Sequence, residues 1–258
     1  MHVAVIHHWQ EVTPELTQAL ATALGITAFD ARQRLVSNGP AVVSCLADPQ
    51  LAQAVSVKLQ KNGFNAFVVD VEAALSKRPV FSLRRFKFES DSIHIEEIDG
   101  RKSSIAYKDI KFILPAFLIT KQTETNAVTE KKFSVGKTIM SGGIPMRKNV
   151  SSQEVTAHEE REKVLYLCGG NRARIIGAQS TLLYDGLGEK MQPSKDMNFN
   201  SLVAEMRQRC PNASYDDRLL RRAEQVKLLG PTLSPDSHID LAVDILASIA
   251  TEDSVKNV

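Results

Sequence analysis

Apolar residues occupy both faces of the opening run. From His2 to His8, Val3, Val5 and His7 alternate with Ala4, Ile6 and His8, the pattern of a strand buried on both sides. His7 and His8, pointing to opposite faces, are not expected to ligate one ion together. Thr13-Pro14-Glu15 predicts a helix start, threonine capping open N–H groups and proline sitting at the first helical position. Leu16, Leu20, Ala23 and Leu24 share a face before Gly25 ends the helix. A second helix is predicted from about Thr27 to Ser37, closed by Asn38-Gly39 and barred from continuing by Pro40. Ala41 to Leu46 reads as a buried strand. Asp48-Pro49 then opens a third helix through Leu51, Val55 and Leu59, and Asn62-Gly63 stops it before a strand from Ala66 to Val71. The predicted order is βααβαβ over residues 1–76, a sheet with helices on one side that buries enough apolar surface to stand alone.

Thr13-Pro14-Glu15, the stretch Ala31 to Pro40 and the helix-turn-strand from Asp48 to Val71 resemble the superfamily of the ribosomal stalk protein C-terminal domain and the ClpS protease adaptor. The resemblance covers about 75 residues and lies in topology and spacing, which speak more to fold than to function. It implies docking of another protein. In ClpS, polar residues before the Thr-Pro pair hold the α-amino group of a degradation signal. Trp9, Gln10, Glu11 and Val12 stand at those places here, and Val36 stands where the family has a pocket histidine. Capture of free N-termini is therefore not expected.

After the polar link Ser76-Lys77-Arg78-Pro79 the pattern turns to strands. Phe81 to Glu89, Ser92 to Ile98, Ser103 to Tyr107 and Ile110 to Lys121 predict an antiparallel meander, with Asp99-Gly100 as a tight turn. Strands are expected again at Val164 to Leu167, Ala173 to Ala178 and Thr181 to Tyr184. Leu202, Val203 and Met206 mark one amphipathic helix, and Leu219, Leu220, Ala223, Val226 and Leu229 another. Residues 91–119, especially Tyr107-Lys108-Asp109-Ile110, resemble the early strands of pleckstrin-homology domains. That resemblance implies an antiparallel β-barrel over residues 80–230 closed by a helix. Ser234-Pro235-Asp236 opens a C-terminal helix, with Ile239, Ala242, Leu246 and Ile249 on one side and Leu241 and Ile245 adjoining, so that residues 234–258 form helix and tail. Residues 122–163 show no period and read as a long insertion, functional or disordered. The expected fold class is α+β: a small βααβαβ domain, then the barrel, then C-terminal helices.

Charge changes this picture in one place. Residues 77–150 hold 15 Lys or Arg against 8 Asp or Glu, in a chain of 258 residues whose net charge is +2. Within them the loop from Lys131 to Val150 carries Lys131, Lys132, Lys137, Arg147 and Lys148 beside Phe133, Ile139, Met140, Ile144 and Met146, with no acid. Cations beside apolar residues suit anionic lipid. The same loop can instead fold back, its apolar residues filling a satellite core. An acidic protein or nucleic acid would use the same charges, although stacking aromatics are scarce for the latter.

Other constellations carry little chemistry. Gly136-Lys137-Thr138 lacks the earlier glycine of a phosphate loop, since Lys131 stands there. Ala157-His158-Glu159-Glu160 reads as a solvated helical segment with no second histidine at ligand spacing. Glu96 and Glu97 alternate across a strand, Asp216-Asp217 suits a helix start, and Gly169-Gly170-Asn171-Arg172 reads as a hairpin turn. Cys45, Cys168 and Cys210 form no C-x-x-C pair. The expectation is a non-catalytic cytoplasmic adaptor or scaffold with no cofactor and no metal. Its N-terminal module would bind another protein, and its basic second module an acidic protein or further copies of the chain. Peripheral membrane binding through residues 131–150 is the alternative.

Overall fold

The computed structural model describes residues 1–9, 11–36, 39–76, 80–133, 147–169 and 174–256. Residues 1–118 and 162–258 form one compact unit, and residues 119–161 form another. The chain is mixed α+β. In order it runs β1 (His2–His7), α1 (Pro14–Leu24), α2 (Ala28–Leu35), β2 (Ala41–Leu46), α3 (Pro49–Lys61), β3 (Asn65–Asp70), α4 (Val71–Ser76), β4 (Val80–Phe88), β5 (Ser92–Glu97) and β6 (Lys102–Ala106). It continues with β7 (Ile110–Phe133), β8 (Arg147–Gly169), β9 (Arg174–Ala178), α5 (Lys195–Arg209), β10 (Ser214–Tyr215), α6 (Arg222–Leu229) and α7 (Pro235–Lys256). Among the described residues no helix is long and apolar enough to cross a membrane.

Strand β1 lies between β2 and β3, antiparallel to both. The helices around this small sheet start where capping chemistry places them. Thr13, Thr27 and Asp48 each accept a backbone N–H of the following turn. On α3 the buried positions are Ala52, Ser56 and Leu59, with Val55 partly buried and Leu51 exposed. The larger sheet has the order β10-β7-β8-β9-β4-β5-β6. The antiparallel expectation holds for β4, β5 and β6, but β9 pairs with β4 and β10 with β7 in parallel. Among the described residues the larger sheet ends on β10 and β6, and neither sheet closes into a barrel.

The α7 helix joins the sheets. Val3, Val5, Val42 and Val71 share a core with Phe112, Leu114, Ala116, Val164 and Tyr166, and between them stand Leu241, Ala242, Val243, Ile245 and Leu246 of α7. Ala4, Ile6, Ala41 and Val43 face the other way, against Leu20, Ala31, Leu35 and Leu59 of α1, α2 and α3. Period-two alternation repeats the device in the larger sheet. Ile113, Leu165, Leu167 and Ile175 point away from α7, toward Phe199, Leu202 and Met206 of α5. The compact unit is therefore a stack of helices, sheet, helix, sheet and helix. Residues on both sides of the boundary expected near residues 76–80 contribute to this shared core. The apolar face of β1 that the N-terminal helices leave open is closed by α7.

Other expectations change for identifiable reasons. Residues 122–133 and 147–163, expected as part of a patternless insertion, belong to β7 and β8. With few apolar residues there was no hydropathy alternation to read, although Thr123, Thr125, Val128 and Thr129 are good strand formers. Residues 157–160 accordingly lie in a strand rather than a helix. Thr181 to Tyr184, expected as a strand, is none: Thr181 ends a turn and Leu183 makes an isolated bridge to Arg85. Val226, expected on the inner face of its helix, is 47% exposed. Gln225 points inward instead, and its amide donates to the carbonyls of Phe117 (2.8 Å) and Leu219 (2.6 Å).

One charged group is sealed in the middle of the stack. The Arg174 side chain, 5% exposed, donates to Asp240 at 3.0 Å and to Asp244, itself 1% exposed. Its guanidinium carbon stands 5.9 Å from the Tyr166 ring centroid. Burial, then the neighbouring Asp240, pushes the Tyr166 hydroxyl well above its ordinary pKa. Breaking such a pair leaves an uncompensated buried charge. Arg174→Met is expected to remove about 3 to 5 kcal/mol of stability, read as a lower urea midpoint. Lys87→Met, which breaks the exposed pair with Glu89, should be nearly silent. Equal midpoints for the two variants would show that the buried pair does not seat α7.

Candidate functional site

On α2, Ala31 and Leu35 turn inward. The opposite stripe, Phe29, Arg32, Gln33 and Val36, is exposed at helical spacing. Phe29 is 70% exposed and Val36 53%. The helix is held from behind: buried Trp9 donates its indole N–H to the Leu35 carbonyl at 3.1 Å, and Arg34 donates to the Val43 carbonyl. The Trp9 N–H is thus engaged inside the core.

Beyond Val36, Gly39 and Pro40 lead into β2 and form one wall of a cavity of about 400 Å3. Arg218, Arg221, Lys227 and Leu228, from α6 and the turn before it, form the other wall, with Glu224 among them. Asp216 accepts from the Arg218 backbone N–H (2.9 Å) and from Nε (3.0 Å). Among the described residues, Nη1 and Nη2 of Arg218 have no acceptor. The guanidinium lies over Gly39, where any Cβ would overlap Nη1. Arg221 makes one long bond to Asp217 at 3.4 Å, and Lys227 pairs with Glu224 at 2.9 Å. Each cation thus has a carboxylate partner, and the donors left open toward the cavity are Nη1 and Nη2 of Arg218, which suit an anionic acceptor and not an ammonium group. Sequence reasoning had named Val36 but not these cations. The dense run Arg218, Arg221 and Arg222 was the available signal.

A second cavity of about 420 Å3 lies beside β6, among Phe81, Ile105, Ile110, Leu167 and Ile175 with Asp109 at its margin.

Of the loop residues singled out from sequence, Lys131, Lys132 and Phe133 end β7, while Arg147 and Lys148 begin β8. Lys137, Met140, Ile144 and Met146 lie outside the described residues, as do Gly136, Thr138 and residues 170–172. Glu97 is buried and meets Arg101 at 3.0 Å, whereas Glu96 meets Lys102 at 3.9 Å, so the two carboxylates serve different partners. The reading of His7 and His8 is overturned. His8 leaves the strand with φ of 55°, which folds its ring back to 2.7 Å from His7, Nδ1 to Nδ1. A strand rule for side-chain direction ends where the strand ends. Among the described residues no group of three His, Cys, Asp or Glu is placed to hold a metal ion.

No family model, curated protein or solved structure matches the chain.

Burial pushes the Cys210 thiol up to about 11 from an ordinary 9.0, with Arg209 partly offsetting it. The folded state thus favours the protonated thiol. The stabilisation is complete below pH 9.0 and is lost as pH rises through about 11. Urea midpoints taken from about pH 8 to about 11 should fall more steeply for the parent chain than for Cys210→Ser. Parallel curves would show that burial does not hold this proton.

Proposed function

We propose that the chain is a non-catalytic binding protein, an adaptor or scaffold, that docks another protein through the exposed stripe of α2. One observation carries the reading. Phe29 and Val36 stand exposed on a rigidly backed helix, while the opposite face of the same small sheet is occupied by α7. Large apolar side chains placed in this way serve as anchors in protein interfaces. In the same proposal the first 76 residues are a module like that of the stalk protein and ClpS, an assignment supported by the element order β1-α1-α2-β2-α3-β3. The strands followed by α5 are likewise a pleckstrin-like unit whose sheet is open. Engagement of Trp9 in the core and the cations near Val36 favour docking of a protein surface over capture of an amino terminus.

The test uses the full chain. Phe29→Asp combined with Val36→Asp is expected to weaken affinity capture of partners at least tenfold, with an unchanged thermal midpoint, as loss of anchor residues does. An unchanged set of captured proteins would sink the reading.

A second reading, binding to anionic lipid, is favoured by strand order. Because β7 and β8 are neighbours, the basic clusters at Lys131-Lys132 and Arg147-Lys148 end and begin adjacent strands. Each cation near an anionic surface contributes about 1 kcal/mol. Lys131→Glu with Lys132→Glu should then reduce co-sedimentation with phosphatidylserine vesicles. Absence of vesicle binding at low salt would remove this alternative.

A further inference from the structure

We propose that the cavity between Val36-Gly39-Pro40 and Arg218-Arg221-Lys227 receives an acidic peptide segment of the docked partner, and that the partner is recognised by carboxylates set beside apolar side chains. The inference rests on the docking role of α2 and specifies the chemistry of what docks there.

The donor pair that Arg218 leaves open carries it. The lining holds Arg218, Arg221 and Lys227 with Glu224, and Asp216 and Asp217 pair with the two arginines. Arg218 is prepared to bind a carboxylate. Asp216 takes its Nε edge and backbone N–H, which fixes the side chain and leaves the Nη pair for another acceptor. The Asp216 N–H in turn bonds to the Ile113 carbonyl of β7 at 3.3 Å, so the arginine is anchored to the large sheet. Gly39 lets the guanidinium lie against the chain entering β2. A planar fork held in this way offers two parallel N–H donors, the geometry that suits a carboxylate. The Arg221 bond to Asp217 is long and both side chains are more than half exposed, so an incoming carboxylate can displace it.

The apolar part of the lining defines the rest of the ligand. Val36, Pro40 and Leu228 border the cations. Val36 also belongs to the α2 stripe that ends at Phe29 and carries Arg32 between them. A segment crossing this surface meets an apolar ledge, then a basic cavity. An acidic segment with apolar side chains satisfies both, whereas a basic or uncharged polar one gives the Nη pair of Arg218 no anionic acceptor.

Fluorescence anisotropy with two labelled peptides tests this on the full chain: Glu-Asp-Leu repeats, and Gln-Asn-Leu repeats of equal length. The acidic peptide is expected to bind at least tenfold tighter than the neutral one, less so as salt rises. Arg218→Ala with Arg221→Ala should remove that advantage, whereas Arg101→Ala with Lys102→Ala on β6 and its preceding turn should keep it. Arg218→Lys keeps the charge and loses the fork, and should fall between parent and double variant. Equal affinities for the two peptides, no binding of either, or an unchanged preference in the double variant overturns the proposal. Neutral and acidic peptides that bind equally, and that are both lost with Phe29→Asp, would leave α2 docking standing and remove the acidic recognition. Acidic binding that needs the two arginines but ignores Phe29→Asp and Val36→Asp would support the cavity and overturn the α2 role.

Discussion

Arg174 enters from the first position of β9 into a space that is otherwise hydrocarbon, and α7 supplies the two carboxylates that meet it. Removing these charges from water costs several kcal/mol per ion, so the pair adds little net stability over an apolar replacement. What it contributes is position. A helix bearing Leu241, Val243, Ile245 and Leu246 is apolar over much of its circumference, so apolar burial alone selects its rotation weakly. Only one rotation sets Asp244 on the Arg174 guanidinium. Every other leaves bare charges buried.

The seating of α7 fixes what lies on each side of it. It covers Val3, Val5 and Val42 of the small sheet, whose other side is covered by α1, α2 and α3. It also fixes α6, whose end at Gly230 comes so close to β2 that a Cβ would stand 2.5 Å from the Val42 carbonyl. With φ of 71° that position suits glycine for two independent reasons. The basic cavity is a product of this approach: one wall comes from the chain entering β2 and the other from α6 and the turn before it, about 180 residues later.

Residues 119–161 follow different physics. Their strands carry many threonines, lysines and glutamates and few apolar residues, and a two-stranded ribbon of such composition gains little from burial. Its backbone is paired as β7 with β8, and basic residues stand near the strand ends at Lys131, Lys132, Arg147 and Lys148. The apolar stripe of α2 and this ribbon thus offer two chemically distinct surfaces within one chain.

The sequence by itself determined the local elements of the first 76 residues, because Thr13, Thr27, Asp48, Gly25 and Pro40 act through hydrogen bonds and dihedral limits that reach only a few residues. It also marked β1 as apolar on both faces and α7 as apolar on adjoining sides, although not what each would pack against. Tertiary structure decided that these two properties answer one another, that Arg174 meets Asp244 across 70 residues of chain, and that Gln225 rather than Val226 turns inward. It also decided that His8 folds back on His7 through a left-handed backbone. Each outcome depends on groups far apart in sequence or on a single dihedral at an element's end, and periodicity encodes neither. The arginines of the candidate site were visible only as a basic run. Their meaning came from Gly39, which is remote in the chain and adjacent in space.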